Sequence, residues 1–223
     1  MRKTVFALGA ALVMLGGCDQ IRDAVGGEPE EGAATGQATT ISFNLGNGEV
    51  QIPAPEGFCV RDIDNDQTAA LQAQIDVAND LVGYFERCGE EQTVEYVLVK
   101  IPRDVPTGLT KDQFLDGMEQ ELSSPEVQAQ LDKGIEQASR NAGDVRISGN
   151  DIGYRGRDED CIYIGGNVQV VAEDVTVSGP AATCLTAANG QAFSVSSYDH
   201  SDDPVSLDDL KARSRAVAAS LTP

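Results

Sequence analysis

The sequence has few of the residue types that form stacking surfaces and catalytic centres. It contains no tryptophan, and aromatic residues make up 5% of its 223 residues. This scarcity argues against a large surface that stacks sugar rings or single-stranded bases. A single histidine, His200, leaves one imidazole for acid–base chemistry or metal binding. We find no dinucleotide fingerprint, phosphate loop, haem CxxCH or zinc HExxH motif.

Positive charge is also scarce. The chain has 16 Lys and Arg against 36 Asp and Glu, which gives a formal net charge of −20. A strongly acidic surface disfavours nucleic acid and anionic lipid headgroups, because both carry negative charge. We therefore predict no nucleic-acid partner. The net negative charge also keeps a tethered domain soluble.

Long apolar runs are limited to the N-terminus. Arg2 and Lys3 precede an apolar stretch from Val5 to Gly17. That stretch fits the roughly 7–15 apolar residues of a signal-peptide core and is shorter than the roughly 20 residues that a spanning helix needs. Residues 1–17 are therefore predicted to be a signal peptide, with an ordinary secretory signal as the simpler alternative.

The end of this stretch resembles a bacterial lipobox. Leu15 is followed by two glycines and then by Cys18. The resemblance implies that Cys18 receives a diacylglyceryl group and becomes the first residue of a lipoprotein, with palmitate-type acylation of its amine. It places the protein on a membrane of the bacterial cell envelope, facing the periplasm. Asp19 resembles the retention signal for the inner membrane, and the outer membrane is the alternative.

Residues 18–39 are predicted to be a flexible acidic linker after the lipid-bearing cysteine. Gly, Ala, Glu and Thr dominate the segment, and it shows no hydrophobic periodicity. A coil of this length reaches about 25 Å on average. The linker would let residues 40–223, predicted to be a single globular domain, stand away from the bilayer.

Beyond Cys18 the sequence has four cysteines, namely Cys59, Cys88, Cys161 and Cys184. An even number in an exported chain indicates two disulfides. Of the three pairings that four cysteines allow, we favour the two sequence-local bridges, Cys59–Cys88 and Cys161–Cys184. The alternative, a metal site, is disfavoured because no CxxC spacing occurs.

Hydrophobic periodicity predicts the first half of the domain. Alternating apolar residues on either side of Asn47-Gly48 predict a β-hairpin. Apolar residues at helical spacing predict a helix over about 68–87. The run "TVEYVLVKIP" then predicts a central strand that is covered on both faces.

The second half contains two helix starts and a group of strands. A second helix begins after Thr110, with Gln113 as the capping-box partner, and a last helix begins after Ser206, with Asp209 in the same role. Between them, residues 145–198 are rich in strand and turn signals. This order predicts an α+β fold in which helices pack on the faces of an antiparallel sheet.

By order of elements, residues 41–222 resemble the PsbP-like fold, which also occurs in inner-membrane lipoproteins of the DcrB type. The resemblance implies the topology alone. No diagnostic motif accompanies it, so no functional residue can be transferred from that family.

One stretch resembles part of a calcium loop. Asp62, Asp64 and Asp66 occupy the first three oxygen positions, but Gln67 replaces the turn glycine and Ala73 replaces the bidentate glutamate. We favour the simpler interpretation, an acidic loop that caps a helix. An irregular calcium site on the three aspartates is the alternative, and we predict no other metal or cofactor.

Two further stretches contain groups that often act in catalysis. Arg155 and Arg157 precede the acids of residues 158–160, so we predict that this segment pairs with itself rather than gripping an anion. His200 lies among serines and aspartates without a GxSxG elbow, which favours a solvated turn histidine over a catalytic one.

The sequence thus predicts a non-catalytic accessory or binding lipoprotein, with the membrane and an unidentified envelope protein as its partners. The alternative is a cell-envelope hydrolase that uses carboxylates, with or without calcium. No catalytic residue can be named for that alternative.

Overall fold

The structure is a computed structural model. It describes residues 39–45, 49–63, 76, 78–89, 94–103, 108–124, 127, 133, 145–172 and 175–221. The strands are β1 (Thr40–Asn44), β2 (Glu49–Pro53), β3 (Phe58–Val60), β4 (Asn79–Arg87), β5 (Glu95–Pro102), β6 (Val145–Arg157), β7 (Ile162–Ala172), β8 (Val175–Ala188) and β9 (Gln191–Asp199). The helices are α1 (Lys111–Leu122) and α2 (Leu207–Ser220).

The predicted α+β class with an antiparallel sheet is confirmed. Seven strands form one sheet in the order β3-β4-β5-β9-β8-β7-β6, and β1 pairs with β2 in a separate two-stranded sheet. Every neighbouring pair is antiparallel. Strand β9 lies between β5 and β8, so it joins the three N-terminal strands to the meander formed by β6–β9.

The central strands of the large sheet are buried on both faces. Successive residues of a strand point to opposite faces, so Tyr96 and Leu98 of β5 join one hydrophobic core while Val97 and Val99 join the other. The first core includes Phe114 of α1, and we call that side of the sheet the α1 face. The second core includes residues of α2 and of the β1–β2 hairpin, and we call that side the α2 face.

Both helices begin where the sequence predicted. The Thr110 hydroxyl accepts a hydrogen bond from the Gln113 amide at 3.3 Å, and the Gln113 side chain accepts one from the Thr110 amide at 3.1 Å. Ser206 and Asp209 form the same reciprocal capping box, with both distances at 3.2 Å. Each box satisfies two amides that a helix start otherwise leaves unpaired.

The two predicted disulfides are also confirmed. Cys59 of β3 is bonded to Cys88, which follows β4, and Cys161 is bonded to Cys184 of β8. The two Cα atoms are 5.2 Å apart in each bridge. The bridges differ in depth, because Cys161 and Cys184 are both 0% exposed whereas Cys88 lies on the surface.

One element prediction is wrong. The helix predicted over 68–87 is a strand, β4, from Asn79 to Arg87. Both faces of this strand are covered, with Gly83 to Glu86 buried in succession, so its apolar residues do not alternate and can match a helical spacing. Residues 68–75 and 77 of that prediction lie outside the described residues, as do residues 46–48 at the predicted hairpin turn.

Candidate functional site

A cavity of about 450 Å³ opens over three strands of the large sheet. This volume lies within the range of about 300–1,000 Å³ that is usual for small-molecule sites. Strands β6, β7 and β8 form its floor, and the segment before α2 forms a wall. The described residues that line it are Ser148, Gly149, Asn167, Val168, Gln169, Ser178, Gly179, Pro180 and Pro204.

The cavity exists because α2 covers only part of β7. Lys211 of α2 lies over the Tyr163 ring, with its ammonium 5.0 Å from the ring centroid. The helix start reaches Gly165, where an added Cβ would come 2.9 Å from the Leu207 side chain. Farther along β7, Asn167 and Gln169 are exposed. The sheet therefore has exposed polar side chains on β7 beyond the N-terminal end of α2.

The strand register arranges these side chains in rows. Ser148, Gln169 and Ser178 are direct partners across the three strands, and Asn167 lies opposite Pro180 in the next row. The Ser148 hydroxyl donates to the Gln169 side-chain oxygen at 3.5 Å. Because Val168 between Asn167 and Gln169 is 1% exposed and belongs to the α1-face core, the two amides point to the α2 side.

The described lining has no ionisable side chain, although the chain as a whole carries a net charge of −20. Hydroxyls and primary amides each donate and accept hydrogen bonds. The cavity is therefore suited chemically to a neutral polar ligand.

His200 lies close to the same wall, and the prediction that it is a solvated turn residue is wrong. Its Nε2 is 3.2 Å from the Tyr96 hydroxyl, and its ring is tilted against Tyr96 and Tyr198. Its Nδ1 is buried and has no hydrogen-bond partner among the described residues. Burial lowers the pKa of His200 to about 4, although the charge of Asp199 opposes this shift. The imidazole is therefore neutral at pH 7.

Gly179 allows this packing. A Cβ at Gly179 would overlap the carbonyl of Asp199 and would lie 2.8 Å from Nδ1 of His200. The glycine therefore lets the chain beyond β9 press directly against β8. It also places the histidine immediately behind one of the residues that line the cavity.

A buried polar cluster continues from His200 across the α1 face. Tyr96 stacks on Tyr198 with ring centroids 4.7 Å apart and meets Tyr84 edge-on at 6.2 Å. The Tyr84 hydroxyl donates to Glu86, which also pairs with Arg61. Glu86 is 2% exposed, so this network fixes the strand ends from inside the fold and offers substrates no open carboxylate.

A second buried polar group was not found from the sequence. Lys100 of β5 and Asp76 are 1% and 2% exposed, and their Nζ and Oδ2 atoms are 2.8 Å apart. Asn79 donates to the other Asp76 oxygen at 2.6 Å. The available signal was a lysine inside the otherwise apolar run "VLVKIP", which indicates either an edge position or a buried partner.

The two arginines before the acids of residues 158–160 are ion-paired, but with other segments than predicted. Arg155 pairs with Asp151 at 2.7 Å. Arg157 pairs with Asp116 at 2.7 Å and with Glu119 at 2.9 Å, both on α1. The prediction that this segment pairs with itself is wrong, because the strand end lies beside a helix.

The three acids themselves, residues 158–160, form an acidic turn that contacts both helices. Asp160 pairs with Lys111 of α1 at 2.7 Å, and Arg215 of α2 lies 3.3 Å from Asp160 and 2.6 Å from Glu159. The hydrogen bond from Lys111 lowers the pKa of Asp160. These contacts satisfy the acids, so the turn acts as a structural connector.

Several predicted site residues lie beyond the part of the chain that the structure describes. Cys18 and the linker are among them, as are Asp64 and Asp66 of the calcium alternative. Asp62 is exposed. Within the described ranges no group of three or more His, Cys, Asp or Glu residues is arranged to hold a metal ion.

No family model matches the sequence, and no curated protein matches it significantly. In the described part of the chain, neither helix has the length and apolarity required to cross a membrane.

Proposed function

We propose that this protein is a lipid-anchored accessory or binding protein of the bacterial cell envelope. Its anchor is the acylated Cys18, its spacer is the linker of residues 18–39, and its working part is the α+β domain. The lipid holds the domain at the membrane, and the linker sets the volume that it samples. Confinement of this kind raises the effective concentration of the domain for partners on or near the same membrane.

The pairing of the cysteines is the observation that supports this proposal most strongly. All four cysteines after Cys18 are joined in two disulfides. Disulfides of this kind persist in oxidising compartments such as the periplasm. Cys18 is then the one cysteine left over, and it stands at the end of the sequence that resembles a lipobox. A thiol reserved for acylation accounts for this odd number.

The direct test is the intact mass of the protein extracted from its native membrane. We expect a chain that begins at Cys18 and carries the added mass of two or three acyl chains. Alkylation should modify the other four cysteines only after reduction. A matched Cys18→Ser variant should lose the acyl mass, because serine has no thiol to carry the diacylglyceryl group.

Two results would contradict the proposal. One is a mature chain without lipid that leaves the membrane without detergent. The other is alkylation of the downstream cysteines without reduction, which would place the protein in a reducing compartment.

A further inference from the structure

We propose that the cavity over β6, β7 and β8, whose described lining is uncharged, binds a neutral saccharide. This inference rests on the proposed function, since it assigns a ligand class to the domain that Cys18 would tether. The residues that would contact the ligand are Ser148, Asn167, Gln169 and Ser178.

The side chains of the cavity match the hydrogen bonding of a sugar. Each hydroxyl of a sugar both donates and accepts, and so do the hydroxyl and amide groups of the lining. Ser148, Gln169 and Ser178 lie in one row across adjacent strands, with Asn167 in the next row. Strands lie about 4.8 Å apart, so a single row spans a length comparable to one or two sugar rings.

The charge of the protein selects against other ligands. A net charge of −20 repels anions such as nucleotides and phosphate esters. A cation would be expected to find a carboxylate, and the described lining has none. A ligand without charge that offers many hydrogen-bonding groups is the class that remains.

Near this cavity, a peptide could add as an extra strand only at β6, an edge strand of the sheet, and would not cover Asn167 and Gln169 on β7. Strand β7 is paired along its length with β6 on one side and with β8 on the other. Its backbone amides and carbonyls are therefore used within the sheet, whereas strand addition needs a free edge. A ligand on this face must be recognised by side chains, which is how sugars are bound.

The site should bind weakly. No aromatic ring lines the cavity, so the stacking that strengthens many sugar sites is missing from its described lining. Pro180 and Pro204 supply only rigid apolar walls. We expect a Kd on the order of 1 mM for a short oligosaccharide. Weak binding of this kind becomes useful when a membrane anchor holds the domain near a dense layer of ligand.

The test uses the full-length mature protein in micelles of a detergent without a sugar headgroup. The probes are N-acetylchitotriose, which offers amides and hydroxyls, and maltotriose, which offers hydroxyls alone. Binding is followed by saturation-transfer NMR on the sugar and by backbone amide shifts on the protein. We expect transfer to at least one sugar, with the largest amide shifts at residues 148, 167, 169 and 178.

Two variants locate the site by different means. Asn167→Ala/Gln169→Ala removes two exposed amides, and Ser178→Tyr fills the cavity from an exposed position. Each should weaken binding by about tenfold or more. The double alanine variant loses two hydrogen bonds to the ligand, and the tyrosine variant fills the space that the ligand would occupy. Thr176→Ala is the matched control. Thr176 is exposed, points to the same side of β8 as Ser178, and does not line the cavity.

The outcomes separate this inference from the proposed function. No transfer to either sugar, or binding that both variants leave unchanged, would overturn the saccharide site. The acyl mass is measured on the same preparation. A lipidated chain that binds neither sugar overturns only the ligand class, and an unlipidated chain that binds sugar overturns only the tether.

Discussion

The two faces of the large sheet are both buried at its central strands, but they are built from different residues. The α1 face carries Lys100 with its Asp76 partner, the tyrosine cluster at His200, and a hydrogen bond of 2.9 Å between Thr183 and Ser196. The α2 face is lined by valines, by Phe193 and by the Cys161–Cys184 bridge. Both faces have an apolar core, but the α1 face adds a buried ion pair and a polar aromatic cluster. The α2 face adds a covalent bond and one buried hydrogen bond of 2.8 Å, from Ser214 to Ser197.

The same strands thus contribute to two cores that respond differently to substitution. Apolar packing tolerates changes of similar volume, because it has no directional requirement. A buried ion pair or hydrogen bond fails when one partner is lost, because the remaining group stays desolvated. The α1 face should therefore be far more sensitive to single substitutions that alter polarity.

The largest expected effect is the loss of the buried ion pair. Lys100→Met leaves Asp76 charged and buried, so we expect the free energy of unfolding to fall by about 3–5 kcal/mol. On the opposite face of the same strand, Val99→Ala should cost about 2 kcal/mol, because only apolar contacts are lost. Urea titration at pH 7 measures both values.

The double variant Asp76→Leu/Lys100→Met is the control for this comparison. It removes both charges and should restore most of the lost stability. Equal losses for Lys100→Met and Val99→Ala would break the distinction between the two faces.

The two disulfides give the next comparison. Their sequence separations are 29 and 23 residues, so loop closure predicts a similar loss of about 3–4 kcal/mol when either bridge is removed. Cys161→Ala/Cys184→Ala should cost more than Cys59→Ala/Cys88→Ala, because it also leaves a void in the α2-face core. Urea titration of the two double variants measures this difference.

Exposure predicts the order of reduction. Cys88 lies on the surface, whereas both sulfurs of the other bridge belong to fully buried residues. Dithiothreitol under native conditions should therefore open Cys59–Cys88 first, as mass spectrometry after alkylation would show. Reduction of Cys161–Cys184 before Cys59–Cys88 would contradict this prediction.

The smallest expected effect is the pH dependence from His200. Its pKa is about 4 in the folded chain, against an ordinary value of 6.5. Between these values the unfolded state binds more protons, so the contribution of His200 to stability is complete above about pH 6.5 and is lost as the pH falls toward 4. The effect is at most a few kcal/mol, since one pKa unit corresponds to about 1.4 kcal/mol.

His200→Gln removes this titration and keeps a hydrogen-bonding group beside Tyr96. The difference in unfolding free energy between this variant and the wild type should therefore change from pH 6.5 to pH 4. A constant difference over that range would show that His200 titrates normally in the folded chain.

Sequence patterns predicted the elements whose signals are local. The capping boxes at Thr110 and Ser206 need only residues three positions apart, and the disulfides follow from an even number of cysteines in a chain predicted to be exported. The lipobox and the likeness to the PsbP-like fold stay predictions.

The misread elements depend on contacts between distant segments. Strand β4 was predicted as a helix because Gly83 to Glu86 are buried on both faces, which hides the alternation of a strand. The cavity could not be predicted from the sequence. Its rows of polar side chains form only when β6, β7 and β8 are in register, and they stay exposed because the first residue of α2, Leu207, packs over Gly165 and the helix covers β7 no farther. The partner of Lys100 was equally hidden, since Asp76 lies outside its strand.

The acidic turn makes the two helical layers depend on each other. Asp160 binds Lys111 at the start of α1 and also Arg215 in α2, although the helices lie on opposite faces of the sheet. Release of the turn would remove an anchor from both layers at once. Opening should therefore be cooperative across the sheet, so that amide protons in α1 and α2 exchange with solvent at similar opening free energies.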